Sequence, residues 1–326
     1  MEKTAEKKKL FTKEKFLGFA QKNGIFLVLV LLIILCSIIS DRFLTFSNIL
    51  NVGRQAAVTA LIAFAEGILL VNGRTDLAAG STMCLSGLFA LNATVATNSI
   101  AIGMLVGIFS AVCCSVFSSL FVAFLGLHHY IVTLAMQMAI RGIAFIYTGG
   151  IIITQTGDKF KKVGQGYVGP IPLPIIIMLI VFIFFSILLK RTRLGRNFYA
   201  IGGNKEAARA AGINVEKHTV IAYVISGCFI GIAGYLFASR INVGAPSGGV
   251  GYEGQGIASS VVGGISFGGG TGTAGGALIG ALIMTIINNI LNLKAVDSYV
   301  QQVINAFMIL GAVALDEVSK RRKLGA

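Results

Sequence analysis

From residue 24 to residue 316 the chain is a succession of long apolar runs broken by short polar connections. An apolar run of about 20 residues, folded as an α-helix, matches the hydrocarbon core of a bilayer. Such runs lie at roughly 24–40, 56–71, 77–97, 100–125, 129–148, 171–189, 219–239, 256–268, 273–293 and 298–316, which predicts about ten transmembrane helices. Charged residues make up only 12% of the chain against 55% hydrophobic, so a soluble fold, disorder and a coiled coil are excluded. The apolar residues run on without alternation, which argues against a transmembrane β-barrel. The expected class is an all-α polytopic protein of the lipid bilayer with some spans short or broken. The run 256–268 is too short to cross easily and reads as a half-length helix.

Charge sets the expected orientation. A net charge of +14 on a soluble protein would suggest nucleic acid; here it marks cytoplasmic loops, and no nucleic-acid partner is expected. Seven lysines crowd residues 1–23, a basic cytoplasmic tail. The run after them carries no small-x-small cleavage site, and Leu35 before Cys36 spoils a lipoprotein site, so it reads as the first span. An even number of spans returns the second basic tail, 318–326, to the cytoplasm. With both termini inside, 19 of the 27 basic residues fall on inner segments and seven on outer ones, with Arg141 within a span. Lys159, Lys161 and Lys162 run against this bias in a longer outer loop, where the rule is weaker. The permease domain is then 24–317. Cys36, Cys84, Cys113, Cys114 and Cys228 all lie in apolar segments and read as small core residues, neither disulfides nor metal ligands.

Four polar exceptions stand out. The longest is 190–218, placed inside. There Asn204 is a good N-cap, Lys205–Ala211 a strong helix former and Gly212 a natural C-terminal stop, so a two-turn surface helix is expected with an Ala-rich face able to dock into a partner's groove. The second is Asn72–Ser81, which carries Asn72, Arg74, Thr75, Asp76 and Ser81 between two spans; ionisable residues at membrane depth point to a function, and the glycines suit a broken segment lining a cavity. The third is a glycine ladder, Gly264, Gly268, Gly272, Gly276 and Gly280, expected to mediate close helix packing around a tight inner turn. The fourth comprises Glu66 and Arg141 inside spans, a candidate ion pair, and the amides Asn288, Asn289, Asn292, Gln301, Gln302 and Asn305 of the last two spans. Such amides either bond hydroxyls along a pathway or bond neighbouring helices. From these exceptions the expected translocation residues are Glu66, Asn72, Thr75, Asp76, Ser81, Arg141, Asn288 and Asn289.

The motif Glu206-Ala207-Ala208, followed after three residues by Gly212, resembles the "EAA" signature of ABC importer permeases. The wider run Gly195-Arg196-Asn197 to Asn214-Val215 is similar to the ribose/galactose/xylose-type sugar permeases. So are Thr75-Asp76-Leu77-Ala78-Ala79-Gly80, the Gly-rich 257–280 and Val313-Ala314-Leu315-Asp316. The similarity covers roughly 40–320. There are departures: Arg74 stands where a Gly is usual, Ala78 where a Ser is, and Gly254-Gln255 where Leu-Asp is.

The resemblance implies a transmembrane subunit of a bacterial inner-membrane monosaccharide importer. It implies two permease subunits, identical or sisters, ATP-binding-cassette ATPase subunits that hold the ATP and magnesium, and an extracytoplasmic sugar-binding protein. It makes the 190–218 helix the coupling element, through Asn204, Glu206, Ala207, Ala208, Arg209 and Gly212. This chain has no GxxxxGK[ST] and hence no P-loop of its own, and needs no cofactor. No carboxylate pair, metal cluster or nucleophile–base set occurs, so no enzyme activity is expected. The competing expectation is an ion-driven secondary transporter with Glu66, Asp76 and Arg141 as its relay.

Overall fold

A computed structural model describes residues 24–154 and 156–324. The basic tail 1–23 lies outside the described residues. Thirteen helices are described: α1 (Gly24–Ile39), α2 (Phe46–Val71), α3 (Ala79–Thr97), α4 (Ile100–Ala123), α5 (His129–Thr148), α6 (Gly157–Gln165), α7 (Leu173–Arg191), α8 (Arg193–Gly203), α9 (Lys205–Ala210), α10 (Val215–Ile241), α11 (Tyr252–Val262), α12 (Ala274–Leu293) and α13 (Ser298–Leu324). Eight of them, α2–α5, α7, α10, α12 and α13, are long and apolar enough to cross a membrane. The expectation was about ten. The apolar runs at the two other positions are helical, with 16 described residues in α1 and 11 in α11.

α2 sits at the centre. From Ala56 to Val71 every residue is buried, Thr59 and Glu66 included, so this stretch is enclosed on all sides rather than on one face. α10, α11, α12 and α7 pack around it, and α10 also runs along α3 and α4. Small residues let these backbones close up, as expected where lipid removes the hydrophobic drive between helices. On α4 the buried face is Gly103, Gly107, Ala111, Ser115 and Ser118, while Leu105, Phe109 and Phe117 are exposed on the other side. A Cβ on Gly231 of α10 would lie 2.5 Å from Ile108 Cα, and one on Gly234 would lie 2.4 Å from Met83 O. The same closeness joins α11 to α12, where a Cβ on Gly276 would meet Gly263 O at 2.0 Å and one on Gly280 would meet Ser259 O at 1.8 Å.

The glycine ladder therefore divides. Gly276 and Gly280 are packing residues on α12, as expected. Gly264 and Gly272 take positive φ, +85° and +133°, inside the 263–273 reversal, where the sequence suggests a tight turn, and Gly268 is an exposed residue of that turn.

Two stretches read as loops hold further structure. In 149–172 lie α6 and an antiparallel hairpin, β1 (Tyr167–Val168) and β2 (Ile171–Pro172). α6 is pinned by Phe160, which packs against Tyr235, and by Gly164, whose N–H donates to Ser239 Oγ at 2.7 Å. In 190–214 lies α8, capped by Thr192 accepting from Gly195 N at 3.0 Å. α2 also begins ten residues before the expected 56, so Arg54, expected in an outer loop, is helical and stacks on Tyr167 at 4.8 Å.

Candidate functional site

The connections 72–78, 190–214 and 263–273 meet at one end of the bundle. They meet through backbone. Gly73, Gly269 and Gly270 have φ of +73°, +90° and +74°. A Cβ on Gly202 at the end of α8 would lie 2.0 Å from Val71 O and 2.6 Å from Gly270 N; one on Gly269 would lie 3.0 Å from Gly73 Cα. Gly270 N donates to Val71 O at 3.1 Å. Two side chains brace the 263–273 reversal: the Tyr199 hydroxyl donates to Gly272 O at 2.8 Å, and Asp316 Oδ2 accepts from Phe267 N at 2.9 Å.

Just inside this junction the expected pathway residues Glu66, Asn72, Thr75, Asp76 and Ser81 come together, all buried. Asp76 N donates to Glu66 Oε2 at 3.2 Å, Asp76 Oδ1 accepts from Ala78 N at 2.9 Å, and the Tyr223 hydroxyl donates to Thr75 O at 3.1 Å. A residue the sequence reading passed over joins them: Glu253 of α11 reaches Gly80, where a Cβ would lie 2.1 Å from its Oε2. Gly80 ends the Thr75–Gly80 motif, and its missing side chain makes room for that carboxylate. Glu66 Oε1, Thr75 Oγ1, Asp76 Oδ2, Ser81 Oγ and Glu253 Oε2 have no protein partner among the described residues. Buried polar atoms left this way mark where water or solute belongs.

Arg141 does not join Glu66. Its Nη1 donates to Pro246 O at 2.8 Å and Gly248 O at 2.6 Å, holding the loop between α10 and α11. Asn289 makes a reciprocal amide pair with Asn48, with bonds of 3.0 Å and 2.9 Å, and is helix glue. Its neighbour Asn288 faces elsewhere. With Asn292, Gln301, Gln302 and Asn305 it lines a cavity of about 320 Å³ at the opposite end of the bundle, beside Arg240 at the far end of α10.

At the junction end, α9 follows the expected design. Asn204 Oδ1 accepts from Ala207 N at 2.9 Å, and Gly212 ends the helix with φ +82°. Two details differ from expectation. Ala208 turns into its own chain, buried with Ile201 and Val215, while Ala207 and Ala211 stay exposed. Arg209, named above for contact with a partner subunit, is held within the chain by Glu206 at 3.6 Å and by Glu216.

A multi-span helical bundle with a polar cavity at one end and a buried polar reversal at the other defines a membrane transport protein. A family described as "Branched-chain amino acid transport system / permease component" matches residues 48–313. The chain belongs to this permease family of ABC importers. It is 38% identical over 303 residues to the ribose import permease protein RbsC of Haemophilus influenzae, covering 92% of this chain and 94% of that one. It is 34% identical over 316 residues to the D-allose transport system permease protein AlsC of Escherichia coli, covering 96% of each. To the L-arabinose transport system permease protein AraH of the same organism it is 32% identical over 300 residues, 92% of each. No solved structure matches the chain significantly.

Proposed function

We propose that this chain is the transmembrane permease subunit of a bacterial inner-membrane ABC importer for a monosaccharide, and that it couples sugar passage to ATP hydrolysis on a separate ATPase. The observation that carries the reading is full-length similarity, 32–38% identity over 92% or more of the chain, to permeases named for ribose, allose and arabinose. The capped helix α9, exposed on Glu206, Ala207 and Ala211, supports it as the coupling element.

In this reading both termini and the α8–α9 end face the cytoplasm, where the ATPase docks. The opposite end meets an extracytoplasmic sugar-binding protein, and a second permease subunit completes the pathway. Exposed Tyr299, Val303, Phe307 and Leu310 on α13 give that subunit an apolar face to cover. The ion-driven alternative loses its relay, since Arg141 is engaged by carbonyls rather than by Glu66 or Asp76.

The test is uptake of labelled ribose, allose and arabinose by membrane vesicles holding the whole transporter. ATP should drive uptake of one of them, and an H⁺ or Na⁺ gradient should not. Gradient-driven uptake without ATP overturns the reading, and a purified complex with a single copy of this chain refutes the paired arrangement.

A further inference from the structure

Adjacent residues of α12 separate two uses of an amide. Asn289 satisfies both ends of its side chain on Asn48. Asn288 leaves its Oδ1 buried with no protein partner, and so do Asn305 with its Oδ1 and Thr285 with its Oγ1. All three line the cavity of about 320 Å³. An amide kept only to glue helices finds a partner, because an unpaired polar atom in a bundle costs more than the bond is worth.

We propose that this cavity is a binding subsite for a neutral, hydroxyl-rich solute of monosaccharide size on the transport route; the proposal rests on the permease reading above. Its volume lies at the small end of small-molecule pockets, about 300–1,000 Å³. Among the described residues, amides and hydroxyls dominate the lining, with no carboxylate and one cation, Arg240, whose Nε is also buried without a partner and can donate to a sugar oxygen. An amide carries two donors and an acceptor, so it meets a sugar hydroxyl, itself donor and acceptor, in either sense. Absence of acid groups gives a metal ion or an amine nothing to pair with. The Tyr252 ring supplies a surface for the C–H face of a pyranose or furanose. The cavity lies at the far ends of α10 and α12 from the α8–α9 junction, where a solute arriving from outside enters first.

Ser298 is exposed on the rim, and Ser298→Cys is nearly isosteric. The native Cys113 lies on an exposed position of the apolar helix α4, out of reach of a charged thiol reagent if that face meets lipid. The full-length variant in proteoliposomes is treated with a charged methanethiosulfonate in the presence of D-ribose, D-allose, L-arabinose or D-gluconate. One neutral sugar should slow modification, about threefold at twice its dissociation constant by mass action, and gluconate should not. Thr285→Val, which removes one unpartnered hydroxyl at constant volume, should raise the protecting concentration about tenfold, the effect of about 1.4 kcal/mol. Gln302→Cys, on the same rim, repeats the measurement should Ser298→Cys not fold. Equal rates with and without every sugar, or protection by gluconate alone, overturn the subsite. ATP-driven uptake with no protection sinks the subsite and leaves the permease reading; protection with gradient-driven uptake does the reverse.

Discussion

Asn48 and Asn289, 241 residues apart, exchange two amide hydrogen bonds between α2 and α12 with both side chains buried. Replacing Asn289 leaves Asn48 Oδ1 without its donor, while Asn48 Nδ2 keeps its 2.9 Å bond to Phe43 O; replacing Asn48 strips both ends of the Asn289 amide. Asn289→Leu is expected to lower stability by about 1–2 kcal/mol, within the range for buried hydrogen bonds in membranes and cores. Asn48→Leu/Asn289→Leu should lose less than the sum of the single variants. Unfolding of the purified protein in a mixed micelle, run as a double-mutant cycle, reads this out; strict additivity would refute the pairing.

Gly202 leaves no room for a methyl group, because Val71 O and Gly270 N already occupy its place at 2.0 Å and 2.6 Å. Gly202→Ala should cost about 1–3 kcal/mol by overpacking, whereas Gly203→Ala beside it, with nothing within 4 Å, should cost far less. Thermal unfolding of the two variants side by side decides it.

At Gly212 the penalty is one of backbone alone, since φ is +82° and the Cβ position is open. Gly212→Val should lose about 1–2 kcal/mol in the α9 turn and Gly212→Asn clearly less, because Asn tolerates the left-handed region. Sugar-stimulated ATPase activity of the assembled transporter should fall in the order wild type, Asn, Val. Equal activity of the two variants would mean the turn does not matter.

Ala207 and Ala208 should part company. Ala208→Trp cannot fit among Ile201 and Val215 and should unsettle α8–α9 itself, raising protease sensitivity there. Ala207→Trp sits on the exposed side and should leave the fold intact while reducing ATPase co-purification. Normal co-purification and uptake with Ala207→Trp would remove α9 as the docking element.

Ser81 is fully buried, so Ser81→Cys should resist a charged thiol reagent in the resting protein. Modification that appears only with ATP, ATPase and loaded binding protein present would place the 72–81 reversal on the moving pathway. Protection in every state would make it structural.

Hydropathy located most of the helices but not all their ends. α2 starts ten residues before the apolar run: Asn48, Asn51, Arg54 and Gln55 have the composition of a polar connection, although Asn48 is engaged by Asn289 and Arg54 by Tyr167. α6 and α8 were invisible as elements because their stability comes from contacts distant in sequence, Phe160 on Tyr235 and Gly202 on Val71. The Thr75–Gly80 motif was legible, yet Glu253 was not, since nothing local in the sequence says which helix start fills the space above Gly80. Among the amides, composition shows a cluster. Only geometry distinguishes Asn289, which is spoken for, from Asn288, which is not.

The meeting of Gly73, Gly202, Gly269 and Gly270 is a joint with no padding. Side chains between moving parts act as springs, changing rotamer and absorbing a shift of an ångström. Here main chain bears on main chain, and peptide planes do not yield. If α9 is the docking element proposed above, any displacement of Gly202 would bear directly on Val71 and Gly270, with no side chain between them to take it up.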